Sequence, residues 1–211
     1  MFNRRNASNK CMNLFETDSN HNLLPYDGMV NYFGKVFNQK VADDFLQVLT
    51  QTINWKHDEV VMFGKRIITR RKAAWYGDQP FPYTYSKVTK VALPWTPDLL
   101  NLKARAEEVT GETYNACLLN LYHTGDEAMA WHSDDEKEII ENSAIASFSF
   151  GAERKFAFRH KQSKHTIALL LEHGSLLVMK GATQAHWVHK LPPTKTVQSP
   201  RINLTFRKMI T

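Results

Sequence analysis

From position 41 to 53, apolar side chains recur at Val41, Phe45, Val48, Leu49 and Ile53. That spacing lines one face of an α-helix. A second helix is predicted over 97–110, where Thr96 can cap the start, Pro97 suits the first turn and Gly111 stops it. Beyond position 115 the period shortens towards two. Short β-type runs fall at 115–123, 144–150, 155–160, 167–171, 175–179, 185–189 and 201–207, with turn-forming residues between them. The predicted class is mainly β with flanking helices: a sandwich or barrel core, one face of it covered by helices from the N-terminal half. Residues 54–95, interrupted by Pro and Gly and rich in aromatics, read as short strands and loops. Residues 1–20 are polar and aperiodic and read as a flexible tail. No repeat or Gly/Ser linker divides the rest, so 21–211 is expected to form a single domain. No Gly-rich phosphate loop supports a nucleotide-binding α/β fold.

Composition narrows the class. The 211 residues are 43% hydrophobic and 23% charged, which is globular rather than disordered. The chain has no apolar run long enough to span a bilayer, and its start, MFNRRNASNK, lacks the apolar stretch of a secretory signal. Cys11 and Cys117 are too few for a disulfide framework or a Cys-rich zinc site. The expectation is an intracellular protein without a membrane, cytoplasmic in a bacterium or nuclear in a eukaryote. There are 27 Lys+Arg against 21 Asp+Glu, a net charge of +6 that favours an anionic partner. Five cations cluster within Lys65–Lys72, flanked by Phe63, Trp75, Tyr76, Phe81, Tyr83 and Tyr85. Cations neutralise phosphates and rings stack on bases. A solvated edge strand backed by core aromatics would have the same pattern.

The first chemical signal is Trp131-His132-Ser133-Asp134-Asp135-Glu136. In extended chain His132 and Asp134 share a face. One more histidine would complete a two-His, one-carboxylate facial set, which leaves open positions on non-haem Fe(II). The candidates are His160, His165, His173, His186 and His189. On one strand His186 and His189 would face opposite ways, so only one could join, and periodicity does not choose between them. The last predicted strand, Arg201-Ile202-Asn203-Leu204-Thr205-Phe206-Arg207, alternates strictly. Its apolar face suits a core. Its polar face carries two arginines whose side chains can reach towards each other around a small dicarboxylate, because the guanidinium fork binds carboxylates in pairs of hydrogen bonds. Asn120 and Tyr122 form a similar same-face pair.

These residues together resemble the AlkB family of Fe(II)- and 2-oxoglutarate-dependent nucleic-acid dealkylases. The likeness runs through Asn120-Leu121-Tyr122, His132-Ser133-Asp134, Leu171-Glu172-His173-Gly174, Trp187-Val188-His189 and RINLTFR at 201–207. Within the family the chain is most similar to the branch of AlkB homologue 2, which acts on double-stranded DNA. The segments VMFGKR, YGDQPFPYTYS, HSDDE, SFSFGAERKFAFRHK and GSLLVMKGATQAHWVHKLP carry that closer likeness.

The resemblance implies a double-stranded β-helix (jelly-roll) core over 115–211 and a nucleotide-recognition lid over 55–95. It implies His132, Asp134 and His189 as the catalytic Fe(II) ligands, and Asn120, Tyr122, Arg201, Asn203 and Arg207 as 2-oxoglutarate contacts. Lesion-base contacts fall on Tyr85, Asp135 and Glu136, with Tyr83 among the neighbouring substrate positions. Phe63 and Gly64 fall on a hairpin that probes base pairs. Arg71, next to Arg70, falls where a residue fills the gap left by a flipped base. Tyr85 stands where the family has phenylalanine, the hairpin reads Val-Met-Phe, and the segment after FRHK is short. The implied activity is oxidative demethylation of 1-methyladenine and 3-methylcytosine by a monomer. Formaldehyde is released, and 2-oxoglutarate and O2 become succinate and CO2. The substrate would be DNA, single- or double-stranded. An RNA demethylase and a non-catalytic nucleic-acid-binding jelly roll are the alternatives.

Overall fold

The period-two runs pair into two antiparallel sheets that face each other. The structure, a computed structural model, describes residues 21–62, 65–85 and 88–211, with the backbone alone described at 58–62, 65–67, 83–85 and 88–90. In chain order the elements are β1 (Met29–Lys35), α1 (Gln39–Thr52), β2 (Lys56–Met62), β3 (Lys65–Gly77), β4 (Pro82–Tyr85), β5 (Val88–Val91), α2 (Pro97–Thr110), β6 (Ala116–Tyr122), β7 (Met129–His132), β8 (Ile145–Gly151), β9 (Arg154–His160), β10 (Thr166–Leu171), β11 (Ser175–Lys180), α3 (Thr183–His186), β12 (Trp187–Leu191) and β13 (Arg201–Arg207). The major sheet has the order β1-β11-β8-β13-β6-β3-β2, the minor sheet β10-β9-β12-β7, and β4-β5 form a separate hairpin. This is the mainly β, two-sheet architecture expected, and no described helix is long and apolar enough to cross a membrane.

Both predicted helices form, for the expected reasons. The Asn38 side chain accepts the Val41 N–H at 2.9 Å to cap α1. Thr96 caps α2 through the Leu99 N–H, and Gly111 ends it in the left-handed conformation. Their apolar faces, with Leu49, Leu99, Leu102 and Ala106 buried, cover one side of the major sheet against Phe148, Phe150, Ile202, Leu204 and Phe206. A second core of Val30, Ile145, Phe158, Leu177, Met179 and Trp187 also forms. Alternation along β13 therefore sends Ile202, Leu204 and Phe206 to the helices, while Arg201, Asn203 and Arg207 line a pocket on the opposite face.

Three parts of the sequence reading need correction. Residues 54–95 are not all short pieces, because β3 runs for 13 residues and pairs with β6 from Lys72↔Leu121 to Gly77↔Ala116. Its second half, Ala73-Ala74-Trp75-Tyr76, is buried throughout, so it has no polar–apolar alternation to reveal a strand. The run 185–189 is not one strand. The Ala182 carbonyl accepts the N–H groups of Ala185 and His186, closing the helical turn α3 before β12 begins at Trp187. The strands β1 and β7 escaped the pattern altogether.

Gly151 sits where β8 turns towards β9, with φ +87°, and a Cβ there would lie 2.3 Å from the Pro200 carbonyl oxygen. Its N–H donates to His173 Nδ1 at 2.8 Å. Gly111 also has positive φ, but a Cβ there would meet nothing within 4 Å. Gly111→Ala is expected to cost about 1 kcal/mol, the ordinary left-handed penalty. Gly151→Ala is expected to cost at least about 2 kcal/mol more, because backbone must shift as well. Urea unfolding midpoints of the two variants check this; equal losses would remove the steric argument.

Candidate metal centre and cosubstrate pocket

Two histidines meet because two strands pair. His132 ends β7 and lies directly opposite His189 of β12. Their ring centroids are 4.2 Å apart. Asp134 follows two residues beyond β7, where no strand ladder holds it. Its N–H donates to Gln184 Oε1 at 2.9 Å, and Ser133 Oγ donates to the Trp187 carbonyl at 3.1 Å. The Asp134 Oδ1 atom then lies 3.7 Å from His132 Nε2 and 3.9 Å from His189 Nε2. One ligand atom from each of the three residues falls within 4.8 Å of the others.

The protonation states suit a metal. His132 Nδ1 lies 2.9 Å from the Ala130 carbonyl, which can only accept. That proton on Nδ1 leaves the Nε2 lone pair facing inward. Burial pushes the His189 imidazole down to about 3, aided by the neighbouring His132 and by Arg207 and opposed by Asp134, so the ring is neutral. Burial alone would raise the Asp134 carboxyl. Arg207, His189 and His132 outweigh it and hold the group down at about 2, so it is ionised. The neutral His189 imidazole, the inward Nε2 of His132 and a carboxylate are a donor set that fits Fe(II).

The facing wall comes from β13 and its neighbours. Register sets Arg201 opposite Tyr122 and Asn203 opposite Asn120 on β6, and Asn203 opposite Ser149 on β8. Arg207 Nη2 lies 2.8 Å from Asp134 Oδ2, and its Nη1 lies 4.0 Å from Glu136. Asn203 Nδ2 donates to Ser147 Oγ at 2.8 Å and to the Phe148 carbonyl at 2.9 Å. Arg201 is 2% exposed. It donates to Ser149 Oγ at 2.8 Å and lies over the Tyr122 ring at 5.6 Å, while its Nε has no hydrogen-bond partner. Burial lowers its affinity for its proton to about 10, with Arg154 adding to the shift and Tyr122 opposing it. Among the described residues no carboxylate pairs with this cation. A buried guanidinium without a counter-ion fits the carboxylate end of 2-oxoglutarate.

The 2OG-Fe(II) oxygenase superfamily model matches residues 29–207. The DNA oxidative demethylase ALKBH2 of Mus musculus is 40% identical over 198 residues, covering 89% of this chain and 83% of that protein. The chain belongs to the AlkB family of this superfamily. Human ALKBH2 is 40% identical over 195 residues, covering 87% of this chain and 75% of that protein. The human alpha-ketoglutarate-dependent dioxygenase alkB homolog 3 is 42% identical over 178 residues, covering 80% of this chain and 62% of its own. The solved structure of OsALKBH1 superposes with a TM-score of 0.60 over 85% of this chain and 97% of its own, and at 14% identity it shows the shared fold. Family membership makes the protein an Fe(II)- and 2-oxoglutarate-dependent dioxygenase, consistent with the pocket.

The structure separates the five candidate histidines that spacing left open. His189 faces Asp134. His173 takes the Gly151 N–H on Nδ1 and faces Asp43 on α1 with Nε2 at 3.1 Å. His165 is exposed. His160 and His186 approach Asp27. However, His160 Nδ1 accepts the Ser163 N–H, which puts the ring proton on Nε2, and a nitrogen holding its proton is no metal ligand.

Other expected site residues divide. Asn120, Tyr122, Arg201, Asn203, Arg207, Glu136 and Arg71 line the pocket with the triad. Arg71 is buried, with Nη1 3.2 Å from Met129 Sδ. Arg70 is exposed and pairs with Asp126 at 2.7 Å. Asp135 stands apart from the pocket lining: its side chain is 66% exposed and lies 3.9 Å from Lys161. Phe63 and Gly64, and the side chains of Tyr83 and Tyr85, lie outside the described residues. Sequence reasoning missed Ser147 and Ser149, although they alternate with Phe148 and Phe150 in SFSFG. It also missed Met129, which faces the pocket through an irregularity between β7 and β12 that no spacing rule anticipates.

The neutral state of His189 has a consequence for the metal-free protein. Its folded value of about 3 lies below the ordinary 6.5, so between those values the unfolded chain binds one more proton. Stability is complete above about pH 6.5 and falls as the pH drops towards 3, with a slope of up to about 1.4 kcal/mol per pH unit. Denaturant unfolding in chelator, from pH 7.5 to 4.5, checks this against His189→Gln. The variant is expected to lose that part of the slope, and two parallel curves would contradict the assignment.

Proposed function

We propose that the protein repairs alkylated DNA by oxidative demethylation, with 1-methyladenine and 3-methylcytosine as its lesions. Formaldehyde is the released carbon, and 2-oxoglutarate and O2 are converted to succinate and CO2. The observation that carries the reading is the joining, in one pocket, of the His132–Asp134–His189 set with a buried Arg201 that has no carboxylate partner among the described residues. The relatives named as DNA oxidative demethylases support DNA as the substrate. The net charge of +6 suits a polyanion.

His132, Asp134 and His189 would hold the iron. Arg201, Asn120 and Tyr122 would take the distal carboxylate of 2-oxoglutarate, with Asn203 beside them and Arg207 at the carboxylate next to the keto group. Arg207 already grips Asp134, and its five donors allow it to serve both. When bound, the iron and 2-oxoglutarate supply the oxidation of an N-methyl C–H bond by O2. The chain's part is to bind, orient and exclude water. A methylated base must first leave the stack, at a cost of a few kcal/mol that is smaller where methylation has already broken the pair. Residues 55–95 act in this reading as the nucleotide-recognition lid on the 115–211 core, with Phe63, Gly64, Tyr83 and Tyr85 contributing to it. Arg70 on the exposed side of β3 serves the phosphates, and Arg71 and Glu136 line the base cavity. The lesion is cationic, which Glu136 favours. Cys117, a buried free thiol, suits a reducing intracellular compartment. The working unit is a monomer.

The test is incubation with iron, ascorbate, 2-oxoglutarate and methylated oligonucleotides of single-stranded DNA, double-stranded DNA and RNA, measuring formaldehyde and succinate together. DNA is expected to give equal amounts of both products, and His132→Ala or Asp134→Ala less than about 1% of either. Succinate without formaldehyde on every DNA would refute demethylation, and a response to RNA alone would move the substrate. Arg201→Met is expected to raise the KM for 2-oxoglutarate by about 10- to 100-fold, the worth of a charge-assisted hydrogen bond at roughly 1.5–3 kcal/mol. An unchanged KM would take Arg201 out of the cosubstrate site.

A further inference from the structure

Asp134 lies past the end of β7, so the sheet offers its N–H no partner, and the side chain is 5% exposed. The partner comes from α3. Gln184 Oε1 accepts the Asp134 N–H at 2.9 Å. That N–H can only donate, so the amide orientation is fixed, and Nε2 turns to Met179 Sδ at 3.5 Å. The turn that carries Gln184 is itself held. Thr183 Oγ1 donates to the Lys180 carbonyl at 2.7 Å and accepts the Met29 N–H at 2.8 Å, which ties α3 to β11 and β1 of the major sheet. Lys161 Nζ donates to the Gln184 carbonyl at 2.8 Å and lies 3.9 Å from the Asp135 carboxylate. One glutamine thus connects the major sheet to the loop that carries the acidic metal ligand.

We infer that Gln184 is a positioning residue for the metal centre: its hydrogen bond to the Asp134 main chain aims the carboxylate at the ion, and Lys161 braces it from behind. The inference rests on the reading of Asp134 as a ligand. Groups that orient a ligand commonly change metal affinity by about 10- to 100-fold when removed. The function needs the amide oxygen as an acceptor, not the bulk of the side chain. Gln184→Met keeps the length and removes the acceptor, whereas Gln184→Glu keeps the acceptor.

The experiment is titration of the metal-free 211-residue chain with Mn(II) alone, read by the loss of the free-ion electron paramagnetic resonance signal. Gln184→Met is expected to raise the Mn(II) Kd by about 10-fold or more, and Gln184→Glu to stay within about 3-fold of the unaltered protein. Lys161→Met, at a half-exposed side chain, is expected to raise it by about 3-fold and carries the test if Gln184→Met does not fold. A Gln184→Met protein that binds Mn(II) normally, or a Gln184→Glu protein as weak as Gln184→Met, overturns the inference. So does a Lys161→Met protein with unchanged affinity. Asp134→Ala in the same titration separates the two levels. Normal Mn(II) binding by that variant would mean the metal-site reading itself has failed. Lost binding there, with Gln184→Met unaffected, would mean that only the positioning role has.

Discussion

The ion pair between Arg207 and Asp134 is the contact on which the site depends. Arg207 ends β13, near the middle of the major sheet, and Asp134 leaves the edge strand of the minor sheet. Their side chains are 3% and 5% exposed and meet at 2.8 Å. Neither charge could be buried here alone, because removing one partner of a buried pair commonly costs about 3–5 kcal/mol. The same contact keeps Asp134 ionised, as a metal ligand must be. The two sheets therefore cannot close over the pocket without also assembling the acidic corner of the metal centre.

The buried arginines beside it meet the same constraint in different ways. Arg154, 1% exposed, gives its fork to the carbonyls of Thr124, Gly125, Glu127 and Pro192. It knits the loop before β7 to the segment after β12; its two Nη atoms are taken up by dipoles within the chain, and its Nε, like that of Arg201, has no hydrogen-bond partner. Arg201 has one hydroxyl and one ring face, and its Nε is left over. The sheet thus settles one guanidinium structurally and leaves another for an incoming anion. A site with a charge deficit of this kind binds its cosubstrate partly because the folded protein is otherwise uncompensated there.

How much of this was legible in the chain follows from what each strand must satisfy. Strand β13 has one face on an apolar layer and one on a polar pocket, so strict alternation exposed both its core and its arginines. The His132-x-Asp134 pair was readable only as a motif, because Asp134 lies past the end of β7 and is aimed by Gln184 rather than by a strand period. The choice of His189 was not, because it depends on pairing with β7 and on a helical turn that takes His186 out of the strand. Neither is local. The buried half of β3 was hidden because both of its faces are covered. Asp135 stands outside the pocket lining because a two-residue period does not continue into the irregular loop after β7. Gln184 gave no signal at all: a glutamine on a short turn is unremarkable until the residue it caps is seen.

The pocket and the surface make opposite electrostatic demands, and β3 meets both. Attraction of a phosphate chain is long-ranged, screened by salt over about 8 Å, and best served by exposed cations. Discrimination of a positively charged base is short-ranged and needs a carboxylate where water is excluded. Neighbouring residues on a strand point to opposite sides, so Arg70 reaches solvent while Arg71 enters the cavity that Glu136 shares. On the proposed function, exposed cations gather any nucleic acid, and Glu136 in the pocket favours the bases that carry a positive charge. A single strand can separate those tasks only because its pleat fixes which side chain faces which medium. A one-residue slip of β3 against β6 would exchange Arg70 and Arg71, putting the wrong arginine into the cavity without altering composition or net charge.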